Sequence, residues 1–213
     1  MTTDRTRVRR LPEKASTDRR DLDTILDAAK VGHVAFAVAG QPFNLPVGVA
    51  RDGDRLLMHG STGSRLFRTL AAGTPACVAV TLLGGMVLAR SAFESSMHYR
   101  SAMVFGTPSE VTDKLPALQA MSEQWLPGRW AELRPPNGKE LAATMVLALP
   151  LGPGAEWSVK ISDAPPEDDP ADLDAPVWAG VLPILSRYGD PVPAPDLRGE
   201  PPVPGYLRTW SPG

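Results

Sequence analysis

Short apolar runs separated by tight-turn dipeptides constrain this chain more than any other feature. HVAFAV, FNLPVGVA and RLLMHG follow one another closely, linked by AGQP and RDGD. Asp52-Gly53 is a hairpin signal, and Gly84-Gly85, between ACVAVTL and MVLARSA, reads as a second. YRSAMVFGTPSEVT, TMVLALPL, WSVKIS and PVWAGVLPI complete a set of about eight strand candidates. Helical patterning is confined to short segments. Thr17 to Lys30 carries Leu22, Ile25, Leu26 and Ala29 on one face, with Ser16 or Thr17 as its cap. Ser64 to Ala72 is stopped by Gly73 and Pro75; Leu115 to Trp125 and Asn137 to Ala142 complete the helices. Strands joined mostly by hairpins, with a few small helices, predict a mainly-β (α+β) fold: an antiparallel barrel with peripheral helices rather than a parallel βαβ sheet. No GxGxxG follows a strand, which removes support for a Rossmann dinucleotide site.

At 213 residues and 43% hydrophobic content the chain is long enough for one domain with a real core. Its formal net charge of −2 gives no basic field for nucleic acid or anionic lipid, so neither is expected as a partner. Arg5, Arg7, Arg9 and Arg10 make residues 1–14 a basic arm, read as flexible and solvated. Residues 15–185 hold the barrel, and the proline-rich stretch 186–213 reads as an extended arm or tail. The single cysteine, Cys77, sits in PACVAVT and reads as a buried structural thiol. No stretch approaches the ~20 apolar residues of a membrane span, and the start of the chain lacks an apolar signal core, so a cytoplasmic protein is expected.

The chemistry concentrates at LLMHGSTGSRLFR, Leu56 to Arg68. A strand ends there in a turn of small and hydroxyl residues and gives way to a helix that starts with an arginine. Backbone N–H groups, the hydroxyls of Ser61, Thr62 and Ser64, and the Arg65 guanidinium suit a phosphate. Three histidines are available, His33, His59 and His98, none at metal-ligand spacing with another ligand. His59 adjoins the turn and either packs or donates to a ligand. The GxSxG nucleophile turn is missing, which argues against a hydrolase. Glu167 to Asp174 reads as a solvated acidic loop. Arg90-Ser91 and Tyr99-Arg100-Ser101 place polar groups at strand ends, for a ligand or for surface ion pairs.

The order HGSTGSR, short helix, PACVAVT, Gly-Gly, LARSAF, YRSAMVFG and PVWAGVLP resembles the pyridoxamine 5′-phosphate oxidase-like flavoproteins, in the branch with the Nim nitroimidazole-resistance and flavin-nucleotide-binding proteins. The resemblance implies an antiparallel FMN-binding split β-barrel and a homodimer with FMN at the subunit interface. It gives Ser64 and Arg65 the flavin phosphate, with His59, Gly60 and Ser61 on the same segment. It sets Asn44, Leu45, Pro46, Val47, Gly48 and Val49 along the isoalloxazine ring, Gly48 allowing close backbone approach. Ser101 falls near the flavin, and Arg90 and Ser91 are candidate donors to the ring. Trp178 aligns with a tryptophan of the barrel wall. The chain departs from the oxidase itself at Asn44, Val49 and Leu66, where that enzyme carries cations, and it lacks the late Arg-x-His-x-Arg that grips the vitamin phosphate. Arg68 or Arg90 can make up part of the missing charge.

These readings give one leading expectation: an FMN-dependent oxidoreductase acting on a small organic substrate with electrons from a nicotinamide donor. Two alternatives stand beside it. One is a flavin- or haem-binding protein without turnover; the other is a deazaflavin (F420)-dependent reductase, which needs a wider basic groove than residues 44–68 offer. No metal site and no acid–base dyad is expected.

Overall fold

The computed structural model describes residues 3–210; the first two residues of the basic arm and the last three of the proline-rich stretch lie outside the described residues. After a single turn of 3-10 helix at Pro12–Lys14, the elements run β1 (Ala15–Ser16), α1 (Arg19–Ala28), β2 (Val31–Val38), β3 (Gln41–Asp52), β4 (Arg55–Ser61), α2 (Arg65–Ala71), β5 (Ala76–Leu88), β6 (Ser96–Gly106), β7 (Ser109–Glu110), α3 (Lys114–Trp125), α4 (Gly138–Ala143), β8 (Thr144–Pro150), β9 (Glu156–Ser162) and β10 (Gly180–Pro183). The strands form one ten-stranded sheet in the order β1-β9-β6-β5-β2-β3-β4-β8-β7, with β10 on β5. Every pairing is antiparallel, as the hairpin spacing predicts.

Alternation sets the inner face. Val34, Val78, Val104 and Val159, on β2, β5, β6 and β9, turn inward and meet Leu56, Met58, Leu147 and Leu149 of β4 and β8. Helix α1 closes one end with Leu22, Ile25 and Leu26, all at most 1% exposed. Truncating one of these leucines costs about 2–5 kcal/mol, the transfer term plus the cavity left behind. A second cluster lies on the outer side of β4 and β8, where Leu57, Val146 and Ala148 pack under Ala117 and Met121 of α3. Gln124 fastens α3 in place: its Nε2 donates to Leu26 O at 2.9 Å, and its Oε1 accepts from Arg51 N at 2.8 Å.

Several local expectations change. α1 begins at Arg19, and Asp18 caps it by accepting from Arg20 N. Ser16 is drawn away because its hydroxyl accepts from Asp18 N and donates to Asp21. Gly84-Gly85 is not a hairpin. β5 runs straight through it as one 13-residue strand with a bulge against β6 between Leu83 and Gly85. The glycine serves close approach: a Cβ on Gly85 would lie 2.9 Å from the Leu182 carbonyl oxygen of β10. The chain reverses instead at residues 89–95, where Ser91 Oγ accepts from Glu94 N. Only Gly180–Pro183 of PVWAGVLPI joins the ladder; Trp178 stands outside it, 69% exposed, against Gly180.

Contacts tie Arg5 to the barrel and residues 206 and 210 to the segment after α3. Arg5 pairs with Glu156 and stands over the Phe105 ring. Near the other end Trp210 Nε1 donates to Pro127 O at 3.0 Å and Tyr206 Oη donates to Glu132 at 2.8 Å. A cavity of about 750 Å3 lies between that arm and the end of α3, lined by Leu126, Arg129, Val203, Tyr206 and Trp210 among others. No described helix is long and apolar enough to cross a membrane.

A split between two strands and its candidate site

The ladder between β3 and β4 holds only from Val49↔Met58 to Asp52↔Arg55. Past that point the strands part. Gln41 to Gly48 stays with β2, and His59 to Ser61 goes with β8. The Asn44–Gly48 stretch and the His59–Ser61 stretch therefore flank a notch, each with one backbone edge lacking a strand partner. Peptide groups on such an edge need a partner of some kind, which makes it a template for a planar hydrogen-bonding ligand.

The turn at the notch is built locally. Ser61 Oγ accepts from Gly63 N at 3.1 Å, and Ser64 N donates to Ser61 O at 2.9 Å. Thr62 N donates to Ala143 O at 2.9 Å, which ties the turn to α4. Asn137 and Glu140 form a capping box that fixes α4 in turn. α2 follows with Ser64 at its N-cap, yet the Ser64 hydroxyl makes no capping bond. α2 has seven residues, so its macrodipole is small. The turn N–H groups of Thr62, Gly63 and Ser64 are thus spent within the chain, and the anion-binding capacity of the turn rests on Arg65 and the free Ser64 hydroxyl. Gly60 is required here because the Phe67 ring occupies the space a Cβ would take.

Arg65 spans the notch. Its guanidinium carbon sits 4.3 Å from the centre of the Phe43 ring on β3, and Phe43 stacks on Phe36 at 5.3 Å. Among the described residues neither Arg65 nor Arg68 makes an ion pair. The cation is oriented by an aromatic face and left uncompensated.

His59 lies on the α3 side of the notch. Its ring is 5.6 Å from that of Trp125, tilted by 37°. Trp125 packs on Gly48, where a Cβ would meet the indole at 2.7 Å, and its Nε1 donates to Val49 O at 2.7 Å. Nδ1 of His59 is buried with no hydrogen-bond partner. Burial holds this imidazole below the usual histidine range, in its neutral form.

The structure thus gathers Asn44, Leu45, Pro46, Val47, Gly48, Val49, His59, Gly60, Ser61, Ser64 and Arg65 around one notch. Three other candidates stand apart within the chain. Arg90 is held by Asp168, whose carboxylate is only 1% exposed and accepts from Arg90 N at 2.6 Å and Nη1 at 2.9 Å. The acidic loop is therefore anchored at Asp168 rather than solvated throughout. Ser91 serves its own turn. Ser101 faces Thr81 and Lys160 on β6, with β5 and β2 lying between it and β3. His98 Nε2 is bonded to Ala164 O at 2.8 Å, and His33 is exposed on the outer face of β2. The Cys77 thiol is half-buried, and burial pushes its pKa up. The described residues contain no cluster of three or more His, Cys, Asp or Glu that could hold a metal ion. Sequence reasoning missed Phe43, Phe67 and Trp125, the aromatic walls of the notch; no local pattern separates them from ordinary core residues.

The comparisons complete the picture. Residues 18–154 match the family model described as Pyridoxamine 5′-phosphate oxidase, well over half of the chain. This chain belongs to the pyridoxamine 5′-phosphate oxidase family. Within that family's split-barrel fold, it is 46% identical to the FAD and heme binding protein from Mycobacterium smegmatis, with a TM-score of 0.89 over 93% of this chain and 97% of that one. It is 37% identical to the flavocytochrome Anf3 from Azotobacter vinelandii, with a TM-score of 0.91 over 99% of this chain and 98% of that one. A candidate 5-nitroimidazole antibiotic resistance protein from Bacteroides thetaiotaomicron shares the fold at 19% identity and a TM-score of 0.56, over 68% of this chain and 86% of that one. Among curated proteins, none is similar enough to count as a match.

Proposed function

We propose that this chain is a redox protein carrying a flavin nucleotide in the β3/β4 notch together with a haem. The observation that carries the reading is the notch: two unpartnered strand edges, closed at one end by a hydroxyl turn and an uncompensated Arg65. Its support from similarity is the near full-length likeness to a flavin- and haem-binding protein and to a flavocytochrome. A flavin supplies exchange between two-electron and one-electron steps, and a haem supplies one-electron transfer.

The residues fit the flavin. Arg65, with the hydroxyls of Ser61 and Ser64, holds the phosphate through charge-assisted bonds. The free edge of Asn44 to Val47 meets the polar rim of the ring, and Leu45 and Val47 offer apolar contact. FMN and its adenylated form FAD share this phosphate and ring. The likeness to the Mycobacterium smegmatis protein favours FAD over FMN. We further propose that the working unit is a homodimer. Leu83 and Met103 are 47% and 40% exposed on the sheet face turned away from the core, an apolar area suited to a second copy. Electrons enter from a reduced nicotinamide donor, and the protein acts in the cytoplasm, the latter proposed from its one unpaired cysteine.

The test is the absorption spectrum of the full chain as purified, with mass identification of whatever denaturation releases. Flavin bands near those of free FMN or FAD, with a haem Soret band, are expected. A colourless protein that takes up neither FMN nor FAD from solution overturns the flavin reading. Mixing the loaded protein anaerobically with NADH or NADPH tests the donor: bleaching of the flavin bands is expected, and unchanged bands overturn that part.

A further inference from the structure

We propose that the haem lies in the cavity beneath the C-terminal arm and that Tyr206 is its axial ligand; the proposal rests on the flavin-and-haem reading above. The cavity, of about 750 Å3, falls within the roughly 300–1,000 Å3 of cofactor sites. Its walls suit a flat apolar macrocycle. Leu126, Leu197, Val203 and Leu207 line it, and Pro201, Pro202 and Pro204 add surface with no backbone N–H to satisfy. Trp125 walls the flavin notch, and Leu126, the next residue, lines the cavity, so the two sites adjoin. They share no lining residue. The arm lies beyond the family match, which ends at residue 154, whereas the likeness to the haem-binding protein and to the flavocytochrome spans 93% and 99% of this chain.

The donor set selects the ligand. No histidine, cysteine or methionine lines the cavity. His98 lines a different one, of about 460 Å3, and spends Nε2 on the Ala164 carbonyl. Tyr206 is the lining side chain that matches a haem donor. Its ring rests on Trp210, with centroids 5.7 Å apart, and its Oη donates to Glu132 Oε2 at 2.8 Å. Arg129 donates to the same carboxylate oxygen at 2.6 Å. Tyr206 and Glu132 together hold that guanidinium in its charged form. The phenol thus has beside it a carboxylate that accepts its proton and a cation that favours the phenolate. The two propionates of a haem need cations as well. Arg198 and Arg208 each follow a lining residue, Leu197 and Leu207, and among the described residues neither forms an ion pair. Both are available to carboxylates at the rim.

Coordination to ferric iron breaks the Tyr206 O–H bond. The proton passes to Glu132 and on to water, and the freed electron pair forms the oxygen–iron bond. No electron is transferred, and the iron stays ferric.

The experiment is titration of the purified full chain with hemin and, in parallel, with iron-free protoporphyrin IX, read by absorption, tryptophan quenching and resonance Raman spectroscopy. For the wild type a high-spin ferric haem with tyrosinate vibrations is expected. Tyr206→Phe keeps the ring and loses the oxygen. It should abolish those vibrations and weaken hemin binding by at least about tenfold, the scale of losses seen when even the support of a metal ligand is removed, while protoporphyrin IX binds as before. Tyr206→His should convert the spectrum to that of a histidine-ligated haem. Leu207→Trp, which fills the cavity, should weaken both porphyrins. Far-ultraviolet circular dichroism checks the fold of each variant; if Leu207→Trp does not fold, Val203→Trp serves, and if Tyr206→Phe does not, Tyr206→His carries the test of the ligand. A hemin spectrum left unaltered by substitution of Tyr206 overturns the ligand assignment. Porphyrin binding left unaltered by filling the cavity overturns the placement. Either result leaves the haem reading standing, whereas a wild-type chain that takes up no hemin overturns the haem reading itself.

Discussion

The Trp125 indole lies where a side chain on residue 48 would stand, with Cη2 only 2.7 Å from a Cβ built on Gly48. Helix α3 and strand β3 thus meet through a missing side chain. The contact is sealed by the Trp125 Nε1 bond to Val49 O.

Gly48→Ala should therefore push the ring aside and strain that bond. Overpacking of this kind costs about 1–3 kcal/mol. Urea unfolding should show a lower midpoint with an unchanged slope, and tryptophan emission should shift in the folded state. A substitution that leaves both measurements alone would mean that the helix slides freely on the strand.

Arg65→Ala should weaken FMN or FAD binding and spare riboflavin. A charge-assisted pair of this type is worth about 1.5–3 kcal/mol, so the dissociation constant should rise roughly ten- to a hundredfold. Quenching of flavin fluorescence reads it directly. Equal losses for the phosphorylated and unphosphorylated ligands would place Arg65 away from the phosphate.

Asp168→Ala should loosen the acidic loop. It deprives Arg90 of two hydrogen bonds, one from its backbone N–H. Leaving such donors without their partner costs about 1–3 kcal/mol. Hydrogen exchange should speed up at Arg90, while flavin affinity stays as it was, because this latch is remote from the notch within the chain. A parallel fall in flavin affinity would contradict that separation.

Glu140 supplies the pH dependence of the capping box. The Arg134 side chain and the Asn137 N–H lower its pKa from 4.5 to about 2. A folded-state pKa below the unfolded value gives stability that is fully present above pH 4.5 and is lost as the pH falls towards about 2. The carboxylate is open to solvent, so the effect is small and screened by salt. Glu140→Gln should flatten the acid limb of the stability curve between those two values in low salt. A variant curve parallel to that of the wild type would show that the pair does not persist in solution.

Much of the architecture was legible because alternation and turn chemistry are local. Asp52-Gly53 marks a true reversal, and HGSTGSR marks a true strand-to-helix passage. Gly84-Gly85 misled because two different backbone needs use the same residue. A tight turn and the close approach of a distant strand both call for glycine, and only tertiary contact with Leu182 tells them apart. The notch was half visible. Ser61, Ser64 and Arg65 announced themselves by type and order, but Trp125 is separated from His59 by 66 positions and meets it only once α3 has docked. Arg90 stays open in the sequence between a ligand and an ion pair because its partner, Asp168, lies inside an acidic run where no single carboxylate stands out.

The β3/β4 seam is four residue pairs long, and its last pair is Val49 with Met58. Both side chains are wholly buried. That pair is the fulcrum of the fold: a change of bulk there would alter the angle at which the two strands diverge, and with it the aperture between them. Ligand size can thus be tuned by steric leverage from inside the barrel, through side chains that are themselves wholly buried.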